Sequence, residues 1–314
     1  MKVSMKKMRR AMILSLFLAL GFGAAWYLQP GLFQPSLLQL NQKLSGLTKK
    51  SVLIDDHRIV YLEGGSGDTV VLLHGIFSEK DHWVDFARSL TGKYRIIIPD
   101  IPAFGESTRL SGASYDYAEQ VMRLMAFFNA LELGSFHIAG NSMGGTLAAL
   151  YSLEHPERIK SLAFIGAPHG IRTPLPSRMD DLIEQGKFPL VVRTAEEFES
   201  MLDLLFFKRP VLPYPILKAS MDAGIRQADD NEKIFRQQLK DRYLLHEKLQ
   251  HINRPLLTLW GESERIFHPS GAQVLKEIQP EHTLVVMSES GHLPQMEKPR
   301  ETATLYLNFL MRHP

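Results

Sequence analysis

The chain has no cysteine, so disulfides, thiolate nucleophiles and cysteine-based zinc sites are excluded, while the redox compartment is left open. It also lacks a surplus of charge: 36 Lys and Arg face 34 Asp and Glu, a net charge of +2. Lys2, Lys6, Lys7, Arg9 and Arg10 supply five of the positive charges ahead of the first apolar run, so the rest of the chain carries −3. Such a weakly acidic body has no dense basic face, and no nucleic-acid partner is expected. Internal repeats and low-complexity tracts are absent too. What remains is 314 residues, 45% hydrophobic and 22% charged, enough for one large core.

Residues 11 to 28, AMILSLFLALGFGAAWYL, hold no charge. At about 1.5 Å per residue they span roughly 27 Å, close to the thickness of a bilayer core. Trp26 and Tyr27 lie at the far end, where amphipathic rings suit the headgroup layer. Basic residues precede the run and the next one is Lys43, a bias that keeps the N-terminus cytoplasmic and exports the rest. Residues 1–28 are therefore read as a membrane anchor that tethers the globular part on the extracytoplasmic (periplasmic or lumenal) side. The alternative is a signal peptide, because Ala19-Leu20-Gly21 and Gly21-Phe22-Gly23 resemble cleavage sites, and cleavage would release a secreted protein. Residues 29–50 are read as a partly helical juxtamembrane segment.

From about residue 51 short apolar runs alternate with helical spacing. RIVYLEGG, TVVLLHG, YRIIIPD, SFHIAG, SLAFIGA, PLLTLWG and HTLVVMSES read as strands, and the unbroken apolar ones suit a parallel sheet buried on both faces. Helical spacing appears in SEKDHWVDFARSL, DYAEQVMRLMAFFNALEL, GGTLAALYSLEHP and roughly 298 to 312. The prediction is an α/β domain with a mostly parallel sheet flanked by helices, formed by residues 51–168 and 252–314. Residues 169–251 show helical periodicity without a convincing strand and are read as an inserted helical cap, or lid.

The stretch HIAGNSMGGTLAAL places Ser142 between Gly140 and Gly144, after an apolar strand and before a helix. A serine hydroxyl needs a base and an oxyanion hole to act as a nucleophile. A tight strand-to-helix turn projects its oxygen, and glycines two residues to either side prevent collision with neighbouring elements. In the order serine, acid, histidine, His292 in SESGHLP is the candidate base after the last strand. Glu264 in WGESERI is the candidate acid, with Glu262 as the fallback. The backbone N–H groups of Ile76, in LLHGIF, and of Met143 are the candidate oxyanion donors. His74 is read as a loop organiser and His137 as structural, while Asp100, Gly105 and Ser107 shape a turn nearby. This chemistry requires no metal and no cofactor, and none is expected.

The ordered signatures HGIF, DIPAFGES, GNSMGG and WGESERI with SGH resemble the α/β-hydrolase superfamily from about Val52 to Leu310. With the N-terminal anchor, the cap stretch VVRTAEEFESMLDLLFFKRPVLPYPILKA is similar to membrane-bound monoacylglycerol lipases and to bacterial membrane-anchored lipases and phospholipases A. The resemblance implies an α/β-hydrolase fold, Ser142 as nucleophile, His292 as base, Ile76 and Met143 as oxyanion residues, and a carboxylic ester carrying an acyl chain. Two departures stand out: family members usually carry aspartate where Glu264 stands, and glycine where Ala103 stands.

Serine at position 142 disfavours relatives that use an aspartate nucleophile. Residues 196–217 hold more apolar side chains than a small cap needs, among them Leu202, Leu205, Phe206 and Leu212, which suits acyl-chain binding or contact with a bilayer. The expected partners are an acyl-lipid substrate (a monoacylglycerol, lysophospholipid or phospholipid) and the membrane, and the apolar anchor and cap also offer surfaces for a homodimer. The competing functions are a carboxylesterase or acyltransferase on small soluble esters, and a non-catalytic membrane-anchored binding protein.

Overall fold

The structure, a computed structural model, describes residues 5–314. A 24-residue helix, α1 (Met5–Leu28), leads through a short 3-10 turn into α2 (Gln34–Leu44). Eight strands follow: β1 (Leu47–Ile54), β2 (His57–Gly64), β3 (Thr69–Leu73), β4 (Arg95–Pro99), β5 (Phe136–Ser142), β6 (Ile159–Pro168), β7 (Leu256–Gly261) and β8 (Thr283–Met287). They form one sheet in the order β1-β2-β4-β3-β5-β6-β7-β8. The β1–β2 and β2–β4 pairs are antiparallel, and the five others are parallel.

The sheet is buried on both faces because its strands alternate between two cores. Val71, Leu73, Ile97 and Ile138 face one cluster, while Val70, Leu72, Ile96 and Ile98 face the other. Each such aliphatic side chain, removed completely from water, contributes about 1.5–3 kcal/mol. The first core is covered by α4 (Tyr117–Ala130) and α5 (Met143–Glu154), and the second by α3 (Val84–Ala87) and the C-terminal helix. Between β6 and β7 the chain forms five helices: α6 (Arg178–Glu184), α7 (Ala195–Leu205), α8 (Tyr214–Arg226), α9 (Ala228–Lys240) and α10 (Leu244–Lys248). The remaining helices are α11 (Ser270–Ile278), α12 (Pro294–Glu297) and α13 (Pro299–Leu310).

One detail differs from the sequence-based expectation. The first strand, β1, begins inside the stretch read as juxtamembrane; as an exposed edge strand carrying Lys49 and Lys50, it lacks the apolar run that marked the others. β2 and β3, adjacent in sequence, do not pair, because β4 inserts between them. Over its apolar part, Lys7–Leu28, α1 is long and apolar enough to cross a membrane. Its end touches the cap, with the Tyr27 and Tyr214 rings 4.9 Å apart.

Candidate active site

The candidate residues lie just beyond the C-terminal ends of parallel strands, where open α/β sheets place their ligand crevice. Ser142 ends β5 with φ 54° and ψ −121°, a strained left-handed conformation for a serine, and α5 starts at the next residue. Holding it costs about 1–3 kcal/mol, which the surrounding contacts must offset. Those contacts also explain the glycines. A methyl group at position 140 would sit 2.2 Å from the Gly144 carbonyl oxygen, and one at position 144 would sit 2.3 Å from that of Leu73. At position 75 it would come within 3.2 Å of the Ser142 Cβ.

His292 follows β8 and is 3% exposed. Its Nδ1 donates to Glu264 Oε2 at 2.7 Å, and the other oxygen, Oε1, accepts from the Ile266 N–H at 2.7 Å. The carboxylate is fully buried and held at both oxygens, so it fixes the imidazole with Nε2 free to accept a proton. Glu262, two residues earlier, is exposed and points to no such partner. The longer glutamate side chain therefore reaches the imidazole directly.

Ile76 and Met143 flank the serine. Met143 opens α5, where first-turn N–H groups have no intrahelical acceptor and carry the positive end of the helix dipole. Among the described residues neither the Ile76 nor the Met143 N–H donates to another group. The His74 ring braces the same loop: Nδ1 donates to the Gly75 carbonyl and Nε2 accepts from the Ile101 N–H, at 2.7 and 2.9 Å. Burial drops the His74 pKa to about 3, so it stays neutral. His137 bonds Ser161 inside the sheet, away from the site.

Behind the site, the fully buried Lys80 ammonium meets Asp100 at 2.9 Å, Glu106 at 2.9 Å and Asp81 at 3.3 Å. Burial alone would lower the Lys80 pKa, but the Asp100 and Asp81 carboxylates raise it. Gly105 lies against Asp100, where a Cβ would come within 2.2 Å of the carboxylate. Ala103, in the same turn, adopts φ 79°, the conformation that explains why glycine suits this position.

Sequence reasoning missed two positioning residues. Asn141 Nδ2 donates to the Ile165 and His292 carbonyls, at 2.8 and 2.9 Å, tying the serine turn to the histidine loop. Glu297 Oε1 accepts from the Gly291 N–H at 2.8 Å, and its Oε2 accepts from the Phe207 and Lys208 N–H groups at 2.9 and 3.0 Å. Together with the His292 N–H bond to the Leu205 carbonyl at 2.8 Å, it fastens the cap to the histidine loop. Burial raises the Glu297 pKa, against the pull of these three amides. Asn141 stood inside the GNSMGG signature, but nothing in the local pattern marked Glu297.

Ser142 and His292 line a single cavity of about 240 Å³. Its walls include Ile76 and the four cap residues Leu202, Leu205, Phe206 and Leu212, and Gln34 of α2 reaches it from the juxtamembrane side. Met143 is buried beside it, with its sulfur accepting from the Gln238 amide of the cap. The cavity thus joins a strained serine, an imidazole–carboxylate pair and an apolar wall. Among the described residues no group of His, Asp and Glu could hold a metal ion.

A serine on a strand-to-helix turn, followed in order by a carboxylate and a histidine at later strand ends, is the arrangement of an α/β hydrolase. Residues 68–299 match the family model described as the alpha/beta hydrolase fold, and the chain belongs to that family. Among its relatives, Lipase 1 of Psychrobacter immobilis is 31% identical over 87% of this chain and 87% of its own length. Monoacylglycerol lipase ABHD6 of Mus musculus is 31% identical over 78% of this chain and 76% of its own length. Of the solved structures, a membrane phospholipase A, reported as a bacterial virulence factor, superposes with a TM-score of 0.88 at 37% identity, covering 97% of this chain and 98% of its own. These lipase relatives support carboxylic ester hydrolysis by this chain.

Proposed function

We propose that the protein is a membrane-tethered serine hydrolase that cleaves carboxylic esters of acyl lipids through an acyl-enzyme on Ser142. The observation that carries this reading is the 2.7 Å contact between His292 and the buried Glu264 on the cavity that Ser142 also lines. His292 Nε2 takes the Ser142 hydroxyl proton as the oxygen attacks the ester carbonyl, and Glu264 stabilises the resulting imidazolium. The Ile76 and Met143 N–H groups receive the developing oxyanion. Collapse expels the alcohol, protonated by His292, and leaves the acyl group on Ser142. Water, deprotonated by the same imidazole, then releases the fatty acid and restores the serine.

Leu202, Leu205, Phe206 and Leu212 suit the acyl chain. The contact of α1 with the cap, together with Gln34 at the cavity, supports substrate entry from the bilayer rather than through bulk water. Within this reading α1 anchors the domain on the extracytoplasmic face, and exposed Phe207 and Val211 offer a homodimer surface. Labelling of the full-length protein by a fluorophosphonate, abolished in Ser142→Ala, is the expected result. Absence of labelling in folded wild-type protein refutes the proposal.

A further inference from the structure

Besides His292, and besides His82, which burial keeps neutral by lowering its pKa to about 4, the cavity wall carries two ionisable side chains, Glu79 and Arg109. Burial pushes the Glu79 carboxyl up to about 8, so near neutral pH it is largely protonated. Burial also lowers the Arg109 pKa, yet a guanidinium keeps its charge at any physiological pH. Arg109 is therefore the permanent charge of this wall.

That charge has no ion-pair partner of its own: Asp230 of α9 acts on it through space but is bonded to Lys233. Arg109 Nε donates to the Ala103 carbonyl at 2.7 Å, which fixes the plane of the group. Among the described residues neither Nη1 nor Nη2 has an acceptor, Nη1 is buried, and no carboxylate lies within ion-pairing distance. Facing the same cavity from α9 of the cap is Asn231, 4% exposed, whose Oδ1 is also buried without a partner. An unpaired guanidinium and an unsatisfied amide are both costly when buried. A bound group that offers an oxyanion to one and a hydrogen-bond donor to the other removes both costs.

We infer that Arg109 and Asn231 form the head-group subsite of this cavity, Arg109 binding the phosphate of a lysophospholipid or phospholipid and Asn231 accepting from a donor on the head-group alcohol. The inference rests on the ester-lipid reading above and narrows it: a glycerolipid with a phosphate is preferred over the neutral monoacylglycerol of equal chain length. A phosphate oxygen matches a charged guanidinium N–H, and Nη2, which is neither bonded nor buried, is the atom open to it.

The test compares 1-palmitoyl lysophosphatidylglycerol with 1-palmitoylglycerol, using full-length protein in detergent. Hydrogen bonds to charged groups contribute about 1.5–3 kcal/mol, roughly 10- to 100-fold. Arg109→Gln should raise KM for the lysophospholipid by about that factor and for monoacylglycerol by at least fivefold less, and Arg109→Lys should recover part of the lysophospholipid loss. Asn231→Leu should raise the lysophospholipid KM as well, and it supplies a second reading where Arg109→Gln fails to fold. Equal loss on both lipids, or no loss on either, overturns the assignment. Inorganic phosphate tests for a free anion: tight competition by phosphate, with both lipids unaffected by Arg109→Gln, also overturns it. Binding of the two lipids to Ser142→Ala, with and without Arg109→Gln, reads the subsite without turnover, so failure of the ester reading and failure of this inference remain distinguishable.

Discussion

Replacing Glu264 by glutamine tests the site at the point where a single atom decides. The carboxylate accepts from the Ile266 N–H through Oε1 and from His292 Nδ1 through Oε2, both at 2.7 Å. An amide has one oxygen. Kept on the Ile266 N–H, it turns its NH2 toward Nδ1–H, and the two donors repel until the imidazole shifts its proton to Nε2. The ring then cannot accept the Ser142 proton. Loss of the correct tautomer together with the counter-charge costs about 10⁴-fold in kcat in comparable triads, or about 5 kcal/mol. Hydrolysis of a p-nitrophenyl acyl ester measures kcat, and thermal unfolding shows that the variant is folded. Glu262→Gln, on the exposed neighbour, serves as the control and should stay within about twofold. A folded Glu264→Gln enzyme that keeps a tenth of wild-type kcat, or a Glu262→Gln enzyme that loses most of it, refutes the assignment.

Two further outcomes concern Glu79 and the orientation of the cap. Because burial lifts the Glu79 carboxyl to about 8 from a usual 4.5, the folded chain holds a proton that the unfolded chain releases. Stability should therefore fall as pH rises through the window from about 4.5 to 8. Complete burial would set this loss near 5 kcal/mol, but the side chain is partly open to the cavity, so Glu79→Gln should gain about 1–2 kcal/mol over wild type at pH 8 and almost nothing at pH 5. A Tm difference that does not change with pH removes the argument. For orientation, the cysteine-free chain permits a single reporter: Val211→Cys, at a fully exposed cap position, should react with a membrane-impermeant maleimide in intact cells. Reaction only after lysis reverses the proposed topology.

Much of this site was legible from residue order, because steric constraint leaves a local trace. Gly140 and Gly144 are required by backbone atoms within 2.5 Å of a would-be Cβ, so the turn around Ser142 announces itself in one dimension. The parallel strands were legible for a related reason, since burial on both faces requires unbroken apolar runs. β1 was not, because an edge strand with Lys49 and Lys50 on exposed positions satisfies the sheet through backbone pairing alone. The choice between Glu264 and Glu262 was open because two residues of the same type, two positions apart, differ only in which way the turn after Gly261 directs them. Once the Ile266 N–H captures one oxygen, Glu264 is turned inward and Glu262 is left to solvent.

The cap shows where an apolar pattern stops being informative. Leu204 and Leu205 are neighbours of equal hydrophobicity, yet Leu204 is buried in the cluster beneath the cap, while Leu205, packed only partly against that cluster, also lines the cavity. Helical geometry rotates adjacent side chains by about 100°, so α7 faces the core on one side and the cavity on the other. Composition alone could not divide those duties. The backbone of Leu205 has a further task, accepting from the His292 N–H while Glu297 ties the next two amides to Gly291. The cap segment that shapes the apolar wall is thereby part of the scaffold of His292. Substitutions at Leu205 that enlarge or shrink the cavity act on side-chain volume and leave this carbonyl contact in place, whereas a change that moves the 205–208 backbone alters substrate fit and His292 geometry together.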